Sequence, residues 1–101
     1  MIIIYQRPDD PEAFERHYHG VHVPLAKTLP GLRRYETSVG PIAALAGAKE
    51  GYFVATLEFD SMDDIRAAFA SEAGRACAAD RVNLEPDESR LQIFLFDSKP
   101  V

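Results

Sequence analysis

Apolar residues recur along this chain at two spacings, every second residue and every third or fourth, and the switches between them mark out its elements. Residues 1–6 carry Ile2, Ile3 and Ile4, a β-branched run that predicts a strand. Arg7-Pro-Asp-Asp10 is a turn. Asp10, Pro11 and Glu12 then form a helix start: a capping side chain, a proline at the first helical position and an acid in the first turn. The helix that follows carries Phe14, Tyr18, Val21, Leu25 and Leu29 along one stripe near helical period, and Pro30-Gly31 stops it. Arg33–Val39 predicts a second strand, with Arg33, Tyr35, Thr37 and Val39 on one face. Residues 40–51 form a loop of small residues. Tyr52–Phe59 alternates most cleanly, with Phe53, Ala55, Leu57 and Phe59 facing one way. Ser61-Met-Asp-Asp64 is a capping box with the shorter Asp64 where Glu usually stands. It opens a second helix with Ile65, Ala68 and Phe69 inward, which bends or restarts at residues 71–74 and ends near Asp80. After a turn at 85–88, Arg90–Phe96 predicts the last strand.

The order β-α-β-β-α-β predicts an α+β, ferredoxin-like fold with a four-stranded antiparallel sheet, residues 1–101 forming one domain. The first and last strands are apolar on both faces, so both faces want cover. Two helices cover only one. The expectation is a second copy packed sheet against sheet, a symmetric homodimer.

Composition narrows the partners. Of 101 residues, 47% are hydrophobic, and 11 Lys and Arg face 16 Asp and Glu for a net charge of −5. No basic face stands out, which argues against nucleic-acid and anionic-membrane partners. No apolar run approaches the roughly 20 residues that span a bilayer, and Ile2–Ile4 is too short for a signal peptide. Cys77 is the only cysteine, so neither an intramolecular disulfide nor a thiol metal cage is expected, and a reducing, cytoplasmic location fits. Its Ala-rich surroundings suggest an inert packed thiol.

The candidate chemistry lies on the first helix. All three histidines, His17, His19 and His22, fall within six residues. On a regular helical wheel with Phe14 at zero, His22 falls at about 80°, His17 at about 300° and His19 at about 140°. They do not converge, so no metal is expected and no cofactor is called for. Only His22 borders the apolar stripe as a candidate acid or base. Gly20 and Pro24, one turn apart, suggest a tolerated kink beside it, with Gly20 leaving room for the proline ring. Asp80 is expected to pair with an arginine near the end of the second helix.

Tyr18, His22-Val-Pro-Leu25, Leu29-Pro-Gly31 and Tyr35, with Gly51-Tyr-Phe-Val-Ala, Phe59-Asp-Ser-Met-Asp-Asp64, Ser71-Glu-Ala-Gly74 and Asp80, resemble the pattern of the EthD family, small proteins of the dimeric α/β-barrel superfamily. The resemblance spans nearly the whole chain. It implies dimerisation through the sheets and a cavity between each sheet and its own helices. It also places His22 as the family's histidine. EthD itself is linked to breakdown of a fuel ether, and related proteins act on lactones and polyketide-derived aromatics.

The candidate site is therefore His22 and Tyr18 as catalytic residues, with Tyr35, Arg33, Tyr52 and Leu25 as substrate-binding residues. An apolar aromatic, lactone or ether-derived metabolite would sit in the cavity. Cofactor-independent proton transfer, as in isomerisation or decarboxylation, is one reading. A non-catalytic binding or accessory protein of an oxygenase pathway is the second. A haem-handling protein with His22 as axial ligand is a third. The loop at 40–51 is a candidate lid.

Overall fold

The structure, a computed structural model, describes all 101 residues. Ile2–Tyr5 (β1), Arg34–Thr37 (β2), Phe53–Glu58 (β3) and Leu91–Phe94 (β4) form one antiparallel sheet in the order β2-β3-β1-β4. The two most apolar runs thereby lie beside each other, with β1 in the interior of the sheet. Register aligns Ile3 with Ala55 and Ile93, and Tyr5 with Phe53 and Leu91, so these side chains share one face. That face and the helices on it form the core, with Phe14, Tyr18, Ala26, Leu29, Ala68, Cys77 and Leu84 packed down on the sheet. The opposite face presents Ile2, Ile4, Val54 and Phe94, and no helix of this chain covers it. Phe94 is 48% exposed there.

The strands at the edges are shorter than the alternation suggests. β4 stops at Phe94 because its partner Ile2 is the first residue of β1, so Leu95 and Phe96 have no ladder to join. β2 keeps backbone bonds at both ends, from Arg33 N–H to the Glu58 carbonyl (2.8 Å) and from Ser38 N–H to the Val54 carbonyl (2.7 Å), but Val39 is 94% exposed and leaves the sheet. Gly40, Pro41, Ile42 and Gly51 of the loop at 40–51 lie beside Arg7, Glu15 and Tyr52.

The first helical segment comprises Pro11–His17 (α1), a π-helical turn over Tyr18–His22, and Val23–Ala26 (α2). Asp10 caps α1, its carboxylate accepting from the Ala13 amide at 3.1 Å. The second comprises Met62–Ala70 (α3) and Glu72–Leu84 (α4), with a break at Ser71. Ser61 caps α3 and Ser71 caps α4, each hydroxyl accepting from an amide three residues on. A Cβ on Gly74 would overlap the Ala68 carbonyl oxygen and the Phe69 Cα, so only glycine fits where α4 leaves the end of α3. α4 continues past Asp80 to Leu84, which is buried.

Candidate functional site

The π turn positions the histidine. Pro24 has no amide hydrogen and cannot donate back to Gly20. The ladder widens just before it, and Val23 N–H reaches the Tyr18 carbonyl, five residues back. In a regular α-helix a four-residue step overshoots a full turn by about 40°. The wider turn absorbs that drift. Phe14, Tyr18, His22 and Ala26, each four residues apart, therefore all point into the core and are buried. Val21, expected on the stripe, is 43% exposed instead. Leu25 gives up its inward place to Ala26 and does not line the cavity described below. An added Cβ on Gly20 meets nothing within 4 Å, so the turn does not require glycine there.

The same rotation brings two histidines to one carboxylate. His17 Nε2 lies 2.8 Å from Asp80 Oδ1, and His22 Nδ1 lies 3.0 Å from Asp80 Oδ2. Asn83 Nδ2 adds a longer bond to Oδ1 at 3.3 Å. Asp80 thus pairs with histidines and asparagine, not with the arginine expected from sequence. Burial works against the Asp80 charge, but the bonds from His17, His22 and Asn83 outweigh it and hold the carboxyl below its ordinary value. An ionised carboxylate only accepts, so His22 carries its proton on Nδ1. Burial pulls His22 below the usual imidazole value and wins over the opposing pull of Asp80. The result is a neutral, oriented imidazole with Nε2 as its basic nitrogen.

Cys77 Sγ stands 3.8 Å from that Nε2. Burial pushes the thiol up to about 11, so it stays protonated and is a weak hydrogen-bond donor. On the other side, Tyr18 stacks at a tilt on the imidazole, with ring centroids 5.2 Å apart. The Tyr18 and Tyr35 hydroxyls meet at 2.5 Å. Burial raises both phenols, so both stay protonated. Tyr18 is buried by Phe14 and Phe53, which fix its ring from two sides.

These groups wall a 240 Å³ cavity between sheet and helices. Ile3, Tyr5, Leu57 and Ile93 form its sheet side, and Phe69, Cys77, Ala78 and Arg81 its α3–α4 side. Ala78 and Ile93 are exposed wall residues and mark its mouth. The structure therefore brings His22, Tyr18 and Tyr35 together. It leaves three other candidates outside. Arg33 precedes β2 and turns to solvent, 64% exposed, where its Nε and Nη2 bond Asp60 at 3.2 and 2.8 Å. Tyr52 packs edge-on against Phe14 under the Arg7 guanidinium, its hydroxyl 3.4 Å from Glu15. Leu25 is displaced by the π turn, as above. No part of loop 40–51 lines the cavity, so the loop is not its lid. Arg81, Phe69 and the role of Asp80 were not foreseen. The signal for Asp80 was its helical spacing from Cys77 and Arg81, which puts all three toward one side of α4.

This geometry, on this sheet order, can be set beside known proteins. The sequence model of the EthD domain matches residues 6–87. The chain belongs to the EthD family. The match covers the π turn, Tyr35 and the Asp80 helix alike. An uncharacterized 11.0 kDa protein in the thcB-thcC intergenic region of Rhodococcus erythropolis is 39% identical over 82 residues, covering 80% of this chain and 78% of that one. The crystal structure of an ethyl tert-butyl ether D (EthD) family protein from Bacillus halodurans aligns with a TM-score of 0.81 at 24% identity, over 97% of this chain and 95% of that one, and shares its fold.

Proposed function

We propose that this EthD-family chain binds a small, mainly apolar molecule in the cavity beside His22, and that His22 moves a proton on it. The observation that carries this reading is the buried Asp80–His22 pair. One imidazole nitrogen is held by a carboxylate, while the ring borders a mostly apolar cavity. Fixing one nitrogen sets the tautomer and leaves the other as the base. The ligand class is an aromatic, lactone or ether-derived metabolite. The Tyr18–Tyr35 hydroxyl pair would donate to a ligand oxygen, and His22 Nε2 would take a proton from a carbon beside that oxygen's carbonyl and return it, as an isomerase does. A cofactor has no part in this step.

The uncovered apolar face of the sheet supports the further proposal that two copies pack sheet to sheet. Each copy would then keep its own cavity on the helix side.

Proton exchange in heavy water tests the chemistry without knowledge of the natural substrate. A panel of small aromatic ketones and lactones is incubated with the protein, and loss of carbon-bound hydrogen is followed by NMR. The wild type is expected to exchange at least one panel member beside its carbonyl. His22→Asn is expected to bind that member and leave its hydrogens in place. Exchange that persists in the His22→Asn protein contradicts the assignment.

A further inference from the structure

Arg81 is the one charged wall residue of the cavity that nothing above explains. It stands one residue beyond Asp80 on α4, but Asp80 is fully engaged by His17, His22 and Asn83. Its Nη2 reaches Glu88 at 3.3 Å, and Glu88 is 80% exposed and weakly held. Its Nη1 is buried and has no hydrogen-bond partner, alone among the buried side-chain nitrogens and oxygens. A buried donor on a cation left unpaired costs a sizeable desolvation penalty, and native structures rarely leave one without a reason. The other wall side chains are apolar or neutral, among them Ile3, Ile93, Phe69, the phenols of Tyr5 and Tyr35, and neutral His22, while the Met1 ammonium at the wall is already engaged by the Leu57 carbonyl at 3.0 Å.

We propose that Arg81 is the anchor for a negatively charged ligand, so that the cavity selects a small apolar carboxylate. The guanidinium holds an unused N–H buried in the wall, which a carboxylate reaches when the side chain turns from Glu88 toward the cavity, and in such low-dielectric surroundings that bond is at its strongest. The ring or chain of the ligand occupies the apolar space between Ile3, Phe69 and Ile93, and its carboxylate takes the hydrogen bond that Nη1 lacks. The chain carries a net charge of −5, so this preference would come from one local charge and not from the overall field. The inference rests on the cavity reading above and adds its charge selectivity.

Benzoate and benzamide, equal in shape and different in charge, separate the two claims. Both are titrated into the intact protein, and the resonances of His22, Tyr18 and Ile93 are followed. Wild type is expected to bind benzoate about tenfold more tightly than benzamide, the scale of one charge-assisted hydrogen bond. Arg81→Met is expected to bring the two within about twofold, because benzoate loses its charge-assisted contact. Arg81→Lys keeps a cation and is expected to retain part of the preference. A purely structural arginine would change thermal stability and leave the ratio where it was. Equal affinities in the wild type, or a preference that survives in Arg81→Met, overturn the assignment and leave the cavity intact as a binding site. If neither probe moves the cavity resonances, the cavity reading falls with it. Should Arg81→Met fail to fold, the wild-type ratio and Arg81→Lys decide the matter.

Discussion

The Asp80 carboxylate holds two imidazoles that the sequence places five residues apart on another element. Its removal therefore has two effects. Asp80→Asn keeps the shape but supplies only one acceptor oxygen, so one imidazole N–H loses its partner. A stability loss of about 1–3 kcal/mol follows, measured by urea unfolding. Asp80 also opposes the burial that lowers His22. Without it, the His22 titration midpoint read from ring proton shifts falls further than in the wild type, where it already lies below the ordinary 6.5. Because the folded value is depressed, the native state binds fewer protons than the unfolded chain once pH drops below about 6.5. The contribution of a neutral His22 is complete above that pH and is lost as pH falls through it toward the folded midpoint. Asp80, also depressed, contributes above its unfolded value near 3.8 and loses that contribution only at lower pH. His22→Gln is expected to flatten the decline between pH 7 and pH 5 in urea midpoints. An unchanged slope there would count against a buried neutral imidazole. Little of this was legible from sequence, because Asp80 and His17 are 63 residues apart and no local pattern links them.

At the scale of elements, the segment Pro11–Ala26 shows where periodicity fails. A wheel with uniform 100° steps puts Val21 inward and His22 on the border, and it separates His17 from His22. The π turn at Tyr18–His22 reverses the first assignment and lets both histidines reach α4. The site of the irregularity was legible in the pairing of Gly20 with Pro24, but its form was not. A proline marks a disturbed ladder without saying whether the helix kinks, breaks or widens. The two helical glycines then make opposite predictions. Gly20→Ala meets no neighbour and gains helix propensity, so stability should rise by up to about 1 kcal/mol. Gly74→Ala drives a methyl into the end of α3, and a loss of several kcal/mol is expected, at the upper end of single-residue effects. Thermal melts of the two variants check both signs. Alternation was a better guide for β3, where Phe53, Ala55 and Leu57 are all buried as read. It misled at Arg33, because the strand begins one residue later and Asp60 offers a partner in solvent.

For the whole molecule, the order of elements and the family pattern were readable from residues, and the sheet order follows from them. That pattern implied a cavity between sheet and helices, but its walls were not legible, since they come from all four strands, the π turn, α2 and both later helices. One face of the sheet remains uncovered. Ile2, Ile4, Val54 and Phe94 form a shared patch on it, which is the basis for proposing a dimer. Sedimentation at micromolar concentration is expected to give twice the chain mass. Phe94→Glu, which puts a charge on the proposed seam, is expected to give the single-chain mass with the helical circular dichroism retained. A wild-type monomer would remove the proposal.

If ligand binds in the space beside His22, closing the mouth of that space excludes it. Ala78 is exposed on α4 and lines the cavity, so Ala78→Trp can place a large ring over the opening without entering the core. Affinity for a small aromatic probe such as benzoate is measured by titration in wild type and variant. A loss of about tenfold or more is expected, with the melting temperature little changed. Undiminished binding to the Ala78→Trp protein would contradict it.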